Sequence, residues 1–174
     1  MKILSFDIES NGLHGEAFSV GAVLLDSDNH EVIDEYIGRC PIEGEVDEWV
    51  QAKVLPSLKG VKEDCKDSRE LRDNFWKWYK RAKTRADIVL TNNPYPVEAR
   101  FLIACQDDDL PARYWDHPFP LLDLGTMLFT IGAKTPEERG EYSSKVVRDK
   151  NALVHNPRWD AWAAAMTACK VLGV

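Results

Sequence analysis

The chain has 174 residues, 44% of them hydrophobic, and includes six Trp and six Phe. This length suits one compact domain over residues 1–174, and the apolar content is enough to fill a core, which excludes a disordered protein. The net charge of −7 argues against a protein that coats nucleic acid by neutralising its phosphates, whereas an enzyme that grips one chain end needs fewer phosphate contacts.

The N-terminal residues and the cysteines narrow the class of protein further. Residues 1–7 contain no apolar run long enough for a signal peptide or a membrane span, so we expect a soluble, cytoplasmic protein with no membrane partner. The four cysteines lie far apart without a CxxC pair, which indicates neither a zinc site nor a disulfide framework. We expect buried free thiols at Cys40, Cys65, Cys105 and Cys169.

Three strands are predicted at the start of the chain. Residues 3–8 and the apolar run at 18–25 have the composition of strands, and residues 31–37 alternate like a third strand after a polar turn. Together they predict an antiparallel meander. Residues 41–60 carry apolar residues at near-helical spacing, interrupted at Pro56, which predicts short helical pieces.

Helices and strands alternate in the rest of the chain. A helix capped by Ser68 is followed by a short buried strand at 88–91 and a helix at 97–106. Residues 121–124 form either a final strand or the start of a further helix, and a last helix begins near Pro157. Three strands followed by this alternation predict an α/β fold with a mixed sheet, an antiparallel meander plus parallel strands, flanked by helices.

Two carboxylates are predicted to share one face of the first strand. Asp7 and Glu9 are two residues apart, so both leave the same face of the sheet, while Phe6 and Ile8 point into a core on the other face. Two adjacent carboxylates repel each other unless a cation lies between them. For this pair alone, a solvated edge strand is the alternative explanation.

A second group of polar residues surrounds the start of the last helix. Pro157 suits its first turn and Asp160 lies about one turn in, which leaves His155 on the preceding loop, where a histidine can serve as a general base. Taken alone, His155 is an ordinary loop residue and Asp160 an ordinary partner of the helix dipole. Glu98, at the predicted start of the helix at 97–106, has the same ordinary explanation.

These groups together resemble a known pattern. Asp7-x-Glu9 lies on a first strand, Glu98 is followed by x-x-Phe-Leu after a middle strand, and His155 precedes Asp160 by five residues. Their order and spacing resemble those of the DEDDh exonucleases, the histidine branch of the RNase H-like exonucleases, over nearly the whole chain. The resemblance implies an RNase H-like fold and a metal-dependent 3′-to-5′ exonuclease that hydrolyses single-stranded nucleic acid to nucleoside 5′-monophosphates. It favours RNA over DNA through the likeness to small single-domain exoribonucleases.

The resemblance also implies roles for the individual residues. Two Mg²⁺ or Mn²⁺ ions are implied, since carboxylate oxygens suit hard cations. Asp7 would bridge both ions, and Glu9 and Asp160 would bind the first. Glu98 would help to hold the second ion. His155 would be the general base of a two-metal mechanism that activates water for in-line attack and stabilises the leaving 3′ oxygen.

The residues after the Asp-x-Glu pair are implied to bind the substrate, which is the 3′ end of a single-stranded RNA or DNA. The backbone around Asn11 and Gly12 would contact the terminal nucleotide, with Gly12 permitting close approach. Leu13 would wedge against the last base. From the sequence alone, a plain turn with a buried Leu13 is the alternative.

Two departures from the family pattern leave other functions open. Glu98 follows Val97, where the family usually has an aspartate preceded by phenylalanine, and its spacing from Asn93 is one residue longer than the common form. Asp123 or another acid is therefore an alternative ligand. A catalytically silent RNase H-like module that binds nucleic acid or a protein is the second functional hypothesis, and an unrelated acidic α/β domain is the third.

The last two predictions concern the periphery of the site. The polar stretch from Gly132 to Asp149 is predicted to be an exposed loop, and with Lys145, Arg148 and Lys150 we expect it to close over the substrate. Three tryptophans are expected to pack in the core or in a dimer interface rather than to stack on bases, which makes a homodimer one alternative. They are Trp115, Trp159 and Trp162.

Overall fold

A computed structural model describes residues 1–148 and 155–174. Within them the strands are β1 (Lys2–Ser10), β2 (Ala17–Asp26), β3 (Glu31–Arg39), β4 (Ile88–Thr91) and β5 (Leu122–Asp123). The α-helices are α1 (Ser68–Lys83), α2 (Val97–Asp107), α3 (Leu110–Arg113), α4 (Leu124–Thr130), α5 (Pro136–Val147) and α6 (Pro157–Leu172). A π-helical turn at Val50–Val54 and a 3₁₀ turn at Leu55–Leu58 follow β3, so the change of helix type falls one residue before Pro56.

The strands form one mixed sheet in the order β3-β2-β1-β4-β5. β1 pairs antiparallel with β2, and β2 pairs antiparallel with β3, so the predicted meander is confirmed. β4 and β5 add parallel strands on the other side of β1. The predicted mixed sheet flanked by helices is therefore confirmed, and β1 lies at its centre.

The two faces of the sheet carry separate cores, because side chains alternate along each strand. On one face, Leu4, Phe6 and Ile8 of β1 join a core that includes buried side chains of α1 and α2. On the other face, Ile3 joins a core with α4 and α6. Asp7 belongs to this second face by alternation, and it lies at the end of β1 that approaches α6.

Gly21 sets the distance between the sheet and the start of α6. It pairs with Asp7 across β1 and β2. A Cβ atom at Gly21 would lie 1.9 Å from the backbone nitrogen of Arg158, a separation that no side chain can adopt. The missing side chain lets the first turn of α6 rest directly on β2, which brings Asp160 toward Asp7.

The predicted loop from Gly132 to Asp149 is wrong over most of its length, because residues Pro136–Val147 form α5. A capping box between Thr135 and Glu138 starts this helix. Apolar periodicity did not reveal it, since none of its described residues is buried. Asp149 and Lys150 lie outside the described residues.

Three smaller expectations are also corrected or resolved. The cap of α1 is Asp67, whose carboxylate accepts a hydrogen bond from the Glu70 amide at 2.8 Å, and Ser68 is the first helical residue. Residues 121–124 contain both predicted alternatives, a two-residue strand and then α4. The short helix α3 was not predicted.

The cysteine and tryptophan predictions have mixed outcomes. The predicted buried free thiols are confirmed at all four cysteines. Trp159 and Trp162 pack edge to face on α6, partly buried, whereas Trp115 is 83% exposed and lies outside the core. In the described parts of the chain, no helix has the length and apolar character needed to cross a membrane.

Candidate metal centre and active site

Three carboxylates converge where the end of β1 meets the start of α6. Asp7, Glu9 and Asp160 each offer one oxygen, and these oxygens all lie within 4.8 Å of one another. The alternation of β1 places Asp7 and Glu9 on one face, and the close approach at Gly21 adds Asp160 from α6. The structure therefore brings together three of the four metal ligands predicted from the sequence.

Burial raises the pKa values of all three acids, and neighbouring negative charges raise those of Asp7 and Glu9 further. Burial first, then the charges of Asp160, Glu98 and Glu9, raise the pKa of Asp7 well above its usual value. Burial, with the charges of Asp160 and Glu98, raises the pKa of Glu9 to about 8. Burial raises the pKa of Asp160 to about 7, although the His155 backbone amide, as a hydrogen-bond donor, has a lowering effect. Without a counter-charge, these acids hold protons near neutral pH.

The chemistry of the donor set fits a hard divalent cation. Carboxylate oxygens are the ligands that Mg²⁺ and Mn²⁺ prefer, and no sulfur or nitrogen atom belongs to the three-carboxylate group. A cation would remove the mutual repulsion that raises the pKa values of Asp7 and Glu9. The group therefore satisfies both the ligand type and the charge requirement of a metal centre.

Glu98 lies beside this centre but is not a member of the three-carboxylate group. It is buried near the start of α2, and burial raises its pKa to about 7 in spite of hydrogen bonds from its own backbone amide and that of Ile8. Its charge is close enough to raise the pKa values of Asp7 and Glu9. Asp123, the alternative ligand, instead caps α4 by accepting hydrogen bonds from the amides of Gly125 and Thr126.

His155 contacts the same carboxylates from the loop before α6. Its backbone amide donates to Asp160 Oδ2 at 2.8 Å, and its ring nitrogen Nδ1 lies 4.0 Å from Glu9 Oε1. Burial lowers the pKa of His155, which keeps the ring neutral and able to accept a proton at physiological pH. The φ angle of 68° at His155 is a left-handed backbone conformation that a non-glycine residue adopts rarely.

Two residues that the sequence did not single out support His155. The Trp49 ring packs edge to face against the imidazole, with ring centroids 4.9 Å apart. The Ser57 hydroxyl donates to the His155 carbonyl oxygen at 2.6 Å. Both lie in or beside the short helical turns after β3, where no motif marks them. The exposure of Trp49, at 53%, shows that it is not a core residue.

If His155 serves as the general base that the family resemblance implies, we expect Trp49→Ala to lower kcat about tenfold, because edge-to-face aromatic contacts are worth about 0.5–1.5 kcal/mol and a misplaced base is costly. Trp49→Phe keeps an aromatic edge beside the imidazole and should recover most of the rate. Steady-state kinetics on a short RNA would measure both. Trp115→Ala, at an exposed tryptophan that packs on Tyr114 instead, is the matched control. Equal kcat values for the wild type and Trp49→Ala would contradict the positioning role.

The predicted substrate residues form a braced turn after β1. The Asn11 side chain donates to the Glu45 carbonyl oxygen and accepts from the Asp47 amide, both at 2.8 Å. Gly12 has a φ of +74°, which favours glycine. Leu13 is 65% exposed, so the alternative of a buried leucine is wrong. Its exposed side chain is available to a ligand.

A cleft of about 920 Å³ opens beside the metal centre. Asp7, Asp160 and His155 line part of it, and the rest of its lining comes from α4, α5 and α6, from Arg148 after α5, and from Asn92 and Asn93 after β4. Its volume is in the range of pockets that bind small organic ligands. Lys145, predicted to face the substrate, does not line the cleft, whereas Arg148 does.

No protein-family model and no curated protein sequence matches the chain. Solved structures do match. The nuclease domain of 3′hExo, a DEDDh family member, bound to rAMP, has a TM-score of 0.68 and 16% identity over 99% of this chain and 92% of that one. A full-length 3′-exonuclease has a TM-score of 0.68 and 16% identity, over 99% and 81% of the two chains.

A third structure describes a 3′-exonuclease with 3′-end-specific recognition of a histone mRNA stem-loop. It matches at a TM-score of 0.68 and 14% identity, over 99% of this chain and 81% of that one. Identities at this level demonstrate a shared fold. The chain therefore has the fold of the nuclease domain of a DEDDh-family 3′ exonuclease.

Proposed function

We propose that the protein is a metal-dependent 3′-to-5′ exonuclease that releases nucleoside 5′-monophosphates from single-stranded nucleic acid, with RNA favoured over DNA. The observation that carries the proposal is the meeting of Asp7, Glu9 and Asp160 within 4.8 Å, with neutral His155 in contact. The 3′ exonucleases that share the fold support it. In this proposal residues 1–174 form one exonuclease domain.

In the proposed mechanism the carboxylates would hold two divalent ions, Mg²⁺ or Mn²⁺. Asp7, Glu9 and Asp160 would bind the first ion, and Glu98, which accepts a hydrogen bond from the Ile8 amide, would help to hold the second. When bound, such ions lower the pKa of water and stabilise negative charge on the leaving 3′ oxygen. The protein's own contribution is a rigid set of oxygens on β1 and α6 that fixes where the scissile phosphate lies.

His155 is the proposed general base. The attacking water gives one proton to a ring nitrogen of His155 as its oxygen bonds to phosphorus. The bond from phosphorus to the 3′ oxygen breaks, and that oxygen leaves with the electron pair and takes a proton from solvent to become the new 3′ hydroxyl. Nδ1 faces the carboxylates, 4.0 Å from Glu9 Oε1. The depressed pKa leaves the ring neutral before the reaction, with one of its two nitrogens able to accept a proton. The backbone at Asn11 and Gly12 and the exposed Leu13 side chain bind the terminal nucleotide.

The proposal is tested with 5′-labelled single-stranded RNA and DNA in Mg²⁺, Mn²⁺ or EDTA. We expect a ladder that shortens from the 3′ end only with metal, more quickly on RNA. His155→Ala should reduce the rate at least about a hundredfold, the usual contribution of a general base. His30→Asn, at an exposed histidine in the β2–β3 turn, is the control and should retain the rate. Intact oligonucleotide in every lane would refute the exonuclease.

One observation favours a second candidate, a catalytically silent module that binds nucleic acid or a protein. Glu98 stands outside the three-carboxylate group, so the second metal is supported less directly than the first. In that case the same oligonucleotides would bind without shortening in either metal. A homodimer and a cytoplasmic location stay predictions from the sequence.

A further inference from the structure

Tyr142 of α5 packs against the core, but most of the inner face of this helix lines the cleft. Pro136, Arg139, Gly140, Ser143, Ser144 and Val147 recur at helical spacing, and all of them border the cleft. A surface helix ordinarily buries an apolar stripe on its inner face. This helix instead turns small and hydrogen-bonding side chains inward, and none of its described residues is buried. Such a face is suited to a ligand.

The opposite wall of the cleft is apolar. Leu124 and Leu128 come from α4, and Trp159, Ala163 and Ala164 come from α6. One wall can therefore cover a flat apolar group, while the other offers hydrogen-bond donors. A nucleotide has this division, with an aromatic base at one end and an anionic phosphate at the other.

Among the described residues, two arginines of the cleft use few of their donors. There Arg139 donates from Nη1 to the Lys134 carbonyl oxygen at 3.0 Å, and Arg148 donates from Nε to the Lys145 carbonyl oxygen at 3.2 Å. Each guanidinium carries five N–H donors. Within residues 1–148 and 155–174, neither arginine forms an ion pair with a carboxylate.

Lys145 on the same helix shows the opposite behaviour. It pairs with Glu141 at 2.8 Å, its side chain is 71% exposed, and it does not border the cleft. In a chain with a net charge of −7, cations directed into a cleft beside four acids are suited to an anion bound there.

We propose that this cleft binds the nucleotide on the 5′ side of the scissile bond, which deepens the proposed function and rests on it. The base of that nucleotide lies against Leu124, Leu128 and Trp159, and Arg139 and Arg148 bind the next phosphate upstream. The terminal nucleotide lies elsewhere, because Asn11, Gly12 and Leu13 do not border the cleft. The cleft therefore recognises the strand that remains after each cut.

The test compares a substrate that carries the upstream phosphate with one that lacks it. A trinucleotide supplies this phosphate, whereas the p-nitrophenyl ester of a nucleoside 5′-monophosphate fills the terminal site and carries only p-nitrophenol, the leaving group, on the other side of the scissile bond. We expect Arg139→Gln and Arg148→Gln each to raise KM for the trinucleotide about tenfold and to leave kcat/KM for the ester unchanged. Lys145→Gln, with the same loss of charge on the outer face, should change neither. If the arginine variants lost kcat/KM equally on the trinucleotide and the ester, or lost it on neither substrate, the proposal would be overturned.

A binding measurement separates this proposal from the proposed function. Fluorescence anisotropy with a 5′-fluorescein-labelled hexauridylate in Mg²⁺ uses the His155→Ala background, so that the probe stays intact. Each arginine substitution should weaken binding about tenfold and lower the slope of log Kd against log salt by about 0.7, the value for one lost phosphate contact. If the arginine variants bind more weakly but the wild type cleaves no substrate, the exonuclease proposal is refuted and the proposal that the cleft binds a nucleotide stands. Unchanged binding and slope beside normal cleavage would refute the cleft alone.

Discussion

We expect Asp7→Asn to abolish metal-dependent cleavage, lowering kcat/KM at least about a thousandfold, and at the same time to raise the melting temperature in EDTA. The loss follows because Asp7 belongs both to the three-carboxylate group and to the lining of the cleft. The gain follows because the substituted amide is neutral and similar in shape to the carboxyl group, so folding no longer has to bury an acid that loses its hydration or takes up a proton. A gain of about 1 kcal/mol corresponds to about 2–4 °C.

Thermal denaturation with and without Mn²⁺, together with the oligonucleotide assay, measures both effects. The wild type should gain stability on adding Mn²⁺, and Asp7→Asn should gain much less. Asp107→Asn, at the exposed last residue of α2, is the matched control and should behave as the wild type. A variant that melts lower than the wild type in EDTA would show that burying the Asp7 carboxyl group does not cost stability.

We expect the stability of the metal-free protein to fall as pH rises from about 5 to about 8. The pKa of Glu9 is raised to about 8, and those of Asp160 and Glu98 to about 7. The folded state therefore binds more protons than the unfolded state in this window. The stability that these bound protons contribute is fully present below the pKa values of the unfolded chain, and it is lost as the pH rises through the pKa values of the folded protein. The loss should be on the order of a few kcal/mol.

Bound metal should reverse this trend. Mn²⁺ replaces the protons, so its stabilising effect should grow over the same pH window. Melting curves at half-unit pH steps, in EDTA and in Mn²⁺, measure the two slopes. Glu9→Gln removes an acid whose pKa is raised to about 8 and should flatten the EDTA curve. A melting temperature in EDTA that is constant or rises between pH 5 and pH 8 would contradict the electrostatic description of the centre.

The parts of the fold that followed from the sequence are those with a strong local period. Alternation in β1 separated Phe6 and Ile8 from Asp7 and Glu9, and the structure places them on opposite faces. Pro157 located the start of α6. In these cases one local rule decides both the secondary structure and the direction of the side chain.

The parts that did not follow depend on contacts between distant segments. Nothing local to Gly21 indicates that α6 will rest on it, and nothing local to Trp49 indicates its contact with the imidazole of His155. The helix α5 was missed because its inner face borders a cleft and lacks the apolar period that the prediction used. Glu98 was placed beside the metal centre, but its separation from the three-carboxylate group could be seen only in three dimensions.

The central position of β1 has a consequence for motion. This strand is hydrogen-bonded to β2 along its length and also to β4 at Ile3–Ser5, and its neighbouring side chains belong to the cores on both faces of the sheet. Local fluctuations open the least protected segments of a protein first, and a segment paired on both sides between two cores is among the last to open. Asp7 and Glu9 directly follow this segment and stay paired with β2, so they are attached to slowly exchanging backbone. The ligand oxygens keep their spacing through every smaller fluctuation, and adjustments to a moving substrate fall to the surrounding helices and loops.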